Sequence, residues 1–133
     1  MPLISFQKAK AAHLRFGERG EKYAGKLLIS LGMEILTTNY SAPGGEIDIV
    51  ARDGEALCFV EVKARKPSTR TRPIDAVTLS KKRRMVLASR HYLGRINFRE
   101  LHWRYDIIEI VMTHRRIIDI RYWPDEFTRS DVQ

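Results

Sequence analysis

Gly44-Gly45-Glu46-Ile47-Asp48-Ile49-Val50 and, after a turn, Leu57-Cys58-Phe59-Val60-Glu61-Val62-Lys63 are the two runs whose reading decides the fold. Both are rich in β-branched and aromatic residues, and Asp53-Gly54 lies between them, so together they read as a β-hairpin. The second run is apolar on both faces until Glu61, the pattern of a central strand covered on both sides. Charge at Asp48, Glu61 and Lys63 is therefore costly unless it is paired or bound to a metal. Residues two apart on a strand share a face, so Glu61 and Lys63 point the same way, roughly 6–7 Å apart along the strand. Asp48 joins that face if the hairpin loop has an even number of residues. A Gly54-Glu55 loop sets it directly opposite Glu61, and an Asp53-Gly54 loop makes the two diagonal neighbours. An odd loop without a bulge turns Asp48 to the other face. Two carboxylates at such a distance repel each other. A divalent cation such as Mg²⁺, a hard ion that prefers oxygen ligands, or the ammonium of Lys63 would relieve that repulsion.

Asp48, twelve intervening residues and then Glu61-Val62-Lys63 resemble the Asp…Glu-x-Lys core of the restriction-endonuclease-like nucleases. A closer resemblance is to a bacterial family of small basic proteins, the YraN or UPF0102 family, itself similar to archaeal Holliday junction resolvases. It rests on Gly17-Glu18-Arg19-Gly20-Glu21, Gly45-Glu46-Ile47-Asp48 and Phe59-Val60-Glu61-Val62-Lys63-Ala64-Arg65. It continues through Ala76-Val77-Thr78 with Lys81, and Arg104-Tyr105-Asp106-Ile107. The likeness spans about residues 14–112. It implies a metal-dependent nuclease in which Asp48 and Glu61 hold Mg²⁺ or Mn²⁺, with the Val62 carbonyl as a further oxygen. It also implies that Glu21 supports the ion from a helix and that Lys81 contacts phosphate near the site.

The chain has 133 residues, enough for one domain with one sizeable core. A hydrophobic fraction of 44% is that of an ordinary globular protein. The formal net charge of +8 favours a polyanionic partner, most simply nucleic acid, over an anionic membrane surface. The single Cys58 cannot form an intrachain disulfide and falls in an apolar strand, which suits a reducing cytoplasm. No apolar run reaches membrane-spanning length, and no signal peptide, repeat or zinc-ligand spacing is visible.

Residues 1–13 form a basic lead, 14–123 a single endonuclease-like domain and 124–133 a polar, loose tail. A helix over 14–31 carries Gly17, Glu21, Ala24, Leu28 and Leu31 on one inward stripe. Glu21 on that stripe reads either as a rim carboxylate paired with a base or as a further acid of the site. Strand 33–40 precedes the 46–64 hairpin near a sheet edge. Glu46 has the parity of Asp48 and is a candidate supporting acid. Beyond Lys63, the Pro-broken loop containing Arg65, Lys66, Arg70 and Arg72 is placed to touch DNA phosphates. A second helix over 74–93 directs Val77, Lys81, Met85, Ala88 and Tyr92 inward, and strands 103–112 and 116–123 make a second hairpin. Asp106 reads either as a salt-bridge partner of Arg104 or another basic side chain, or as a catalytic acid.

The order α-β-β-β-α-β-β defines an α/β fold, a mixed central sheet flanked by helices, resembling a restriction-endonuclease-like core. The expected function is a Mg²⁺- or Mn²⁺-dependent endonuclease acting on DNA. Lys63 would orient the attacking water or offset charge on the phosphate. With no base-reading motif, choice of substrate by shape, as with branched or junction DNA, is the expectation. The alternatives are a nucleic-acid-binding module on the same fold with weak or no catalysis, and an interaction protein in which Asp48, Lys63 and Glu61 are only a buried ion-pair network. A homodimer is left open.

Overall fold

A computed structural model describes residues 6–67, 77–96 and 102–132. The order is α1 (Phe6–Ser30), β1 (Glu34–Ala42), β2 (Gly45–Asp53), β3 (Ala56–Arg65), α2 (Leu79–Arg95), β4 (Trp103–Met112) and β5 (Ile117–Phe127). This is the expected α-β-β-β-α-β-β succession. The five strands form one sheet in the order β1-β2-β3-β4-β5. Among the described residues only β3 and β4 pair in parallel. Parallel pairing cannot be made through a tight turn, so the chain crosses over through α2 between them.

β3 is the middle strand, and its alternation shows why it reads as apolar on both faces. Cys58, Val60 and Val62 join the core that contains Ala24 and Leu28 of α1. Leu57 and Phe59 join the core that contains Met85 and Ala88 of α2. Each helix therefore covers one side of the sheet, and each core is a layer of side chains contributed by alternate strand positions.

Both helices approach the sheet through glycine. On α1 the buried stripe is Phe16, Gly20, Ala24 and Leu28; it shares Ala24 and Leu28 with the expected stripe and has Phe16 and Gly20 in place of the expected Gly17 and Glu21, while Leu31 is off it. A Cβ at Gly20 would lie 2.7 Å from Cβ of Ala64, whereas Gly17 has open space and Leu31 is 54% exposed. On the other side, a Cβ at Gly45 of β2 would run into the backbone carbonyl oxygen of Arg84. Gly45 thus lets α2 settle onto β2 at the end of the strand that bears Glu46 and Asp48.

Helix α1 begins at Phe6, so most of the basic lead is helical. Helix α2 starts at Leu79, where the Thr78 hydroxyl caps it by accepting from the Lys81 backbone N–H at 3.2 Å. Residues 74–76 of the expected helix lie outside the described residues. The final segment is not loose: β5 runs to Phe127, and a 3-10 turn over Arg129–Val132 buries Val132. Tyr105 stacks on Phe127 at 4.8 Å and 9°, which ties this segment to β4.

Asp106, fully buried, accepts from Arg104 Nε at 3.1 Å, the Tyr122 hydroxyl at 2.6 Å and the Asp125 backbone N–H at 2.9 Å. It is a satisfied structural carboxylate, in keeping with its expected pairing with Arg104. Cys58 is buried, and burial pushes its thiol up to about 12, so it is an inert core residue. Among the described residues, no helix is long and apolar enough to cross a membrane.

Candidate metal centre

The site forms where the β2–β3 ladder opens. The hairpin register runs from Asp53↔Ala56 to Ile49↔Val60, so the loop is Gly54-Glu55, an even loop. The paired ladder ends at Ile49↔Val60, one residue short of Asp48 and Glu61. Gly54 takes φ of +60°, the left-handed conformation that the tight turn needs. Beyond Ile49 the strand alternation slips: Ile47 and Val50 pack in the α2-side core while Ile49 packs in the α1-side core. The Asp48 carboxylate accepts the Val62 backbone N–H at 2.8 Å. The N–H and C=O of one strand residue point toward the same neighbour, so the Val62 carbonyl opens on the Asp48 side as well.

Asp48 and Glu61 are close enough to share a hydrogen bond between their carboxyls. Such a bond needs a proton, and without one the two groups are acceptors only. Glu61 is only 3% exposed, and its Oε2 is buried with no hydrogen-bond partner among the described residues. Burial, with the Asp48 charge adding to it, pushes Glu61 up to about 8. Burial likewise raises Asp48, against the Val62 N–H bond that favours its charged form.

The nearby cation is Lys81 of α2. Its Nζ lies 3.1 Å from Glu61 Oε1 and 3.6 Å from Glu46 Oε1. Burial works against the Lys81 charge, but Glu61, Asp48 and Glu46 together outweigh it and raise the pKa of the ammonium. Arg84, one helical turn further on, lies 3.9 Å from the same Glu46 oxygen. Glu21 reaches the acidic end of the sheet from α1. It is half-buried, hydrogen-bonded to the Asn39 side chain, and raised by burial and by the Asp48 charge.

The expected residues therefore divide. Asp48, Glu61 and Val62 converge, Glu21 and Glu46 flank them, and Lys81 is drawn into the centre. Lys63 is exposed and makes no ion pair among the described residues. Arg65 does not project into solvent: its side chain is 15% exposed and pairs with the buried Glu109 at 3.3 Å, which Arg121 meets from β5 at 3.0 Å. Lys66 is exposed. Arg70 and Arg72 lie outside the described residues. Two contributors are not visible from the spacing. Asn39 has a positive φ of 51° in a bent edge strand, which gives no sequence signal beyond the known tolerance of asparagine for that conformation. The Lys81–Glu61 pair joins residues from two elements separated by the crossover.

Fully ionised, Asp48, Glu61, Glu21 and Glu46 would bring four negative charges against the two positive charges of Lys81 and Arg84, and a divalent ion would balance the remainder in place of the proton that the acidic pair otherwise holds. Among the described residues no three of His, Cys, Asp and Glu close on one point as a cage. The donor set is instead two carboxylates and a backbone carbonyl. That fits Mg²⁺ or Mn²⁺, since Mg²⁺ binds through one or two carboxylates and keeps several waters. The buried Oε2 of Glu61, with no hydrogen-bond partner among the described residues, is the feature such an ion would satisfy.

A family model described as "Uncharacterised protein family UPF0102" matches residues 20–110, which include Glu21, Asp48, Glu61 and Lys81. A UPF0102 protein of Rhodococcus opacus is 38% identical over 120 residues, covering 88% of this chain and 99% of the relative. A UPF0102 protein of Chlorobium chlorochromatii is 42% identical over 94 residues, covering 71% and 72%. One of Chlorobium limicola is 39% identical over 95 residues, covering 71% and 74%.

Proposed function

The chain belongs to the UPF0102 family, and from its acidic pair we propose that it is a Mg²⁺- or Mn²⁺-dependent endonuclease that hydrolyses phosphodiester bonds in DNA. The observation that carries this reading is the buried Glu61 carboxyl beside Asp48, whose Oε2 has no hydrogen-bond partner among the described residues. Asp48 and Glu61, with the Val62 carbonyl, would hold the ion. When bound, such an ion polarises a phosphate oxygen and acidifies a water.

The protein's own groups do the rest. The Asp48–Val62 hydrogen bond fixes one ligand to the strand that bears the other, so the spacing of the pair is set by backbone. Lys63, exposed two residues beyond Glu61, is free to reach the scissile phosphate and offset the charge that develops there. Lys66 and the basic residues Arg70 and Arg72 supply further phosphate contacts along the strand exit. Arg65 is reassigned: its guanidinium anchors the end of β3 to β4 through Glu109. Because these contacts would be to backbone, the substrate is chosen by shape, and branched or junction DNA is the class that suits it. The net charge of +8 alone supports a second reading, a DNA-binding module without catalysis.

A panel of linear, flapped, nicked and four-way-junction DNAs separates the two. With Mg²⁺ or Mn²⁺ the wild type is expected to nick at least one structured substrate, and Lys63→Ala to bind but not nick. Replacing Lys66, Arg70 and Arg72 with Ala should reduce the slope of log K against log salt by about 0.9 for each phosphate that is no longer neutralised. An unchanged slope would remove this segment from the interface. Binding without nicking of any substrate would leave the binding-module reading.

A further inference from the structure

Lys81 does something other than track phosphate in the free protein. Its ammonium sits against Glu61 Oε1 at 3.1 Å, and Glu46 Oε1 is 3.6 Å away on the outer side. Glu61 is buried and Asp48 half-buried, while the Glu46 side chain is 49% exposed and the Lys81 side chain 33% exposed. The lysine thus bridges the inside of the acidic centre and its mouth. Arg84 holds the same Glu46 oxygen from the solvent side, and Glu21 faces the pair from α1. A lysine is suited to this position, because its point charge rides on a flexible four-carbon stem and can change partner without moving the helix.

From this we infer that the Lys81 ammonium is the resident counter-ion of the metal seat, and that it leaves Glu61 for a DNA phosphate as the divalent ion enters. The inference rests on the metal-dependent reading above and assigns its order of loading. An ammonium 3.1 Å from one oxygen of Glu61 and a divalent ion on the other oxygen repel each other at close range inside a buried site. The free protein therefore holds metal weakly. A phosphate at the mouth gives Lys81 a second anion to pair with, so DNA binding removes the competitor. By linkage, metal and DNA each raise the affinity for the other. Lys63, exposed and without an ion pair among the described residues, has no part in this exchange.

The test uses the full chain with Mn²⁺ alone and with a four-way-junction DNA in the presence of a chelator. Calorimetry of Mn²⁺ binding to the DNA-free protein is expected to show about tenfold tighter binding in Lys81→Met than in wild type, within the usual range of coupling between sites. Lys63→Met should leave Mn²⁺ affinity unchanged. In the chelated DNA titration, Lys81→Met should lower the salt slope by about 0.9, the share of one phosphate contact. Lys81→Gln, which keeps a polar side chain at this half-exposed position, should match Lys81→Met in both readings and so exclude a folding defect.

If Lys81→Met binds Mn²⁺ more weakly, the lysine is a strut for Glu61 and the inference is overturned while the metal-dependent reading stands. An unchanged salt slope also overturns it, because Lys81 then stays on Glu61 when DNA is bound. If neither the wild type nor any variant takes up Mn²⁺, both the inference and the metal-dependent reading are overturned.

Discussion

Asp48→Asn is expected to abolish metal-dependent nicking while leaving the fold and metal-free DNA binding intact. Asparagine keeps an oxygen at the position that accepts the Val62 N–H at 2.8 Å, so the local strand geometry has no reason to change. It removes the negative charge and one hard ligand. Metal catalysis of this kind is worth several kcal/mol, so the loss in rate should be about 10³-fold or more. Mn²⁺ affinity should fall in the same variant. DNA affinity in chelator should be unchanged or slightly tighter, because a carboxylate that repels phosphate has gone. Lys63→Ala differs in one readout: it should lose nicking but keep its Mn²⁺ affinity, since an ammonium is not a metal ligand. Equal nicking by wild type and Asp48→Asn would place the activity outside this site.

Glu61→Gln should stabilise the metal-free protein at alkaline pH. The folded state lifts Glu61 from its ordinary 4.5 to about 8, first through burial and then through Asp48. Between those values the folded protein holds a proton that the unfolded chain has released. Stability then falls as pH rises through this window, the opposite of a salt-bridged carboxylate. Asp48 is also raised, so it acts in the same direction, and the steps belong to the pair rather than to either residue. Lys81, raised above 10.5, is charged in both states throughout the window and adds no slope there. Its stabilising effect is lost only above that range.

Replacing Glu61 by glutamine removes most of this linkage. At pH 8.5 and without metal, the gain should be about 2 kcal/mol, about 5 °C in Tm for a chain of this length. The wild type in saturating Mn²⁺ should show the reverse trend, gaining stability with pH because the ion binds the deprotonated pair. Thermal scans from pH 5 to 8.5, with and without Mn²⁺, give both slopes. A metal-free wild type that gains stability across this range would show that Glu61 titrates as an ordinary carboxylate.

Much of the fold is legible in the chain because local rules and tertiary needs agree. β3 reads as a central strand because both of its faces meet a helix, and it is the middle strand of the sheet. The approach of Asp48 to Glu61 depends on the loop length and on the slip in alternation beyond Ile49, and Asp53-Gly54 and Gly54-Glu55 both suit a two-residue turn. The register selects the second. The inward face of α1 is legible at Ala24 and Leu28 but one residue off in the preceding turns, because Phe16 looks like any exposed aromatic until Gly20 is seen against Ala64. Glycine and glutamate at successive positions give a helix wheel little to orient on.

The structural roles of Arg65 and Lys81 are not legible in the sequence. Both depend on which residue faces them from another element: Glu109 on the neighbouring parallel strand for one, Glu61 across the crossover for the other. A basic side chain after a strand looks the same in sequence whether it meets phosphate or a buried carboxylate.

The most direct measurement is a crystal of the protein bound to a four-way-junction DNA, soaked in Mn²⁺ and examined for anomalous scattering. The acidic pair predicts one strong peak at about 2.1 Å from an Asp48 oxygen, Glu61 Oε2 and the Val62 carbonyl, with Lys81 Nζ withdrawn from Glu61. A soaked crystal with no peak between Asp48 and Glu61, and with Lys81 still on Glu61 Oε1, would contradict it.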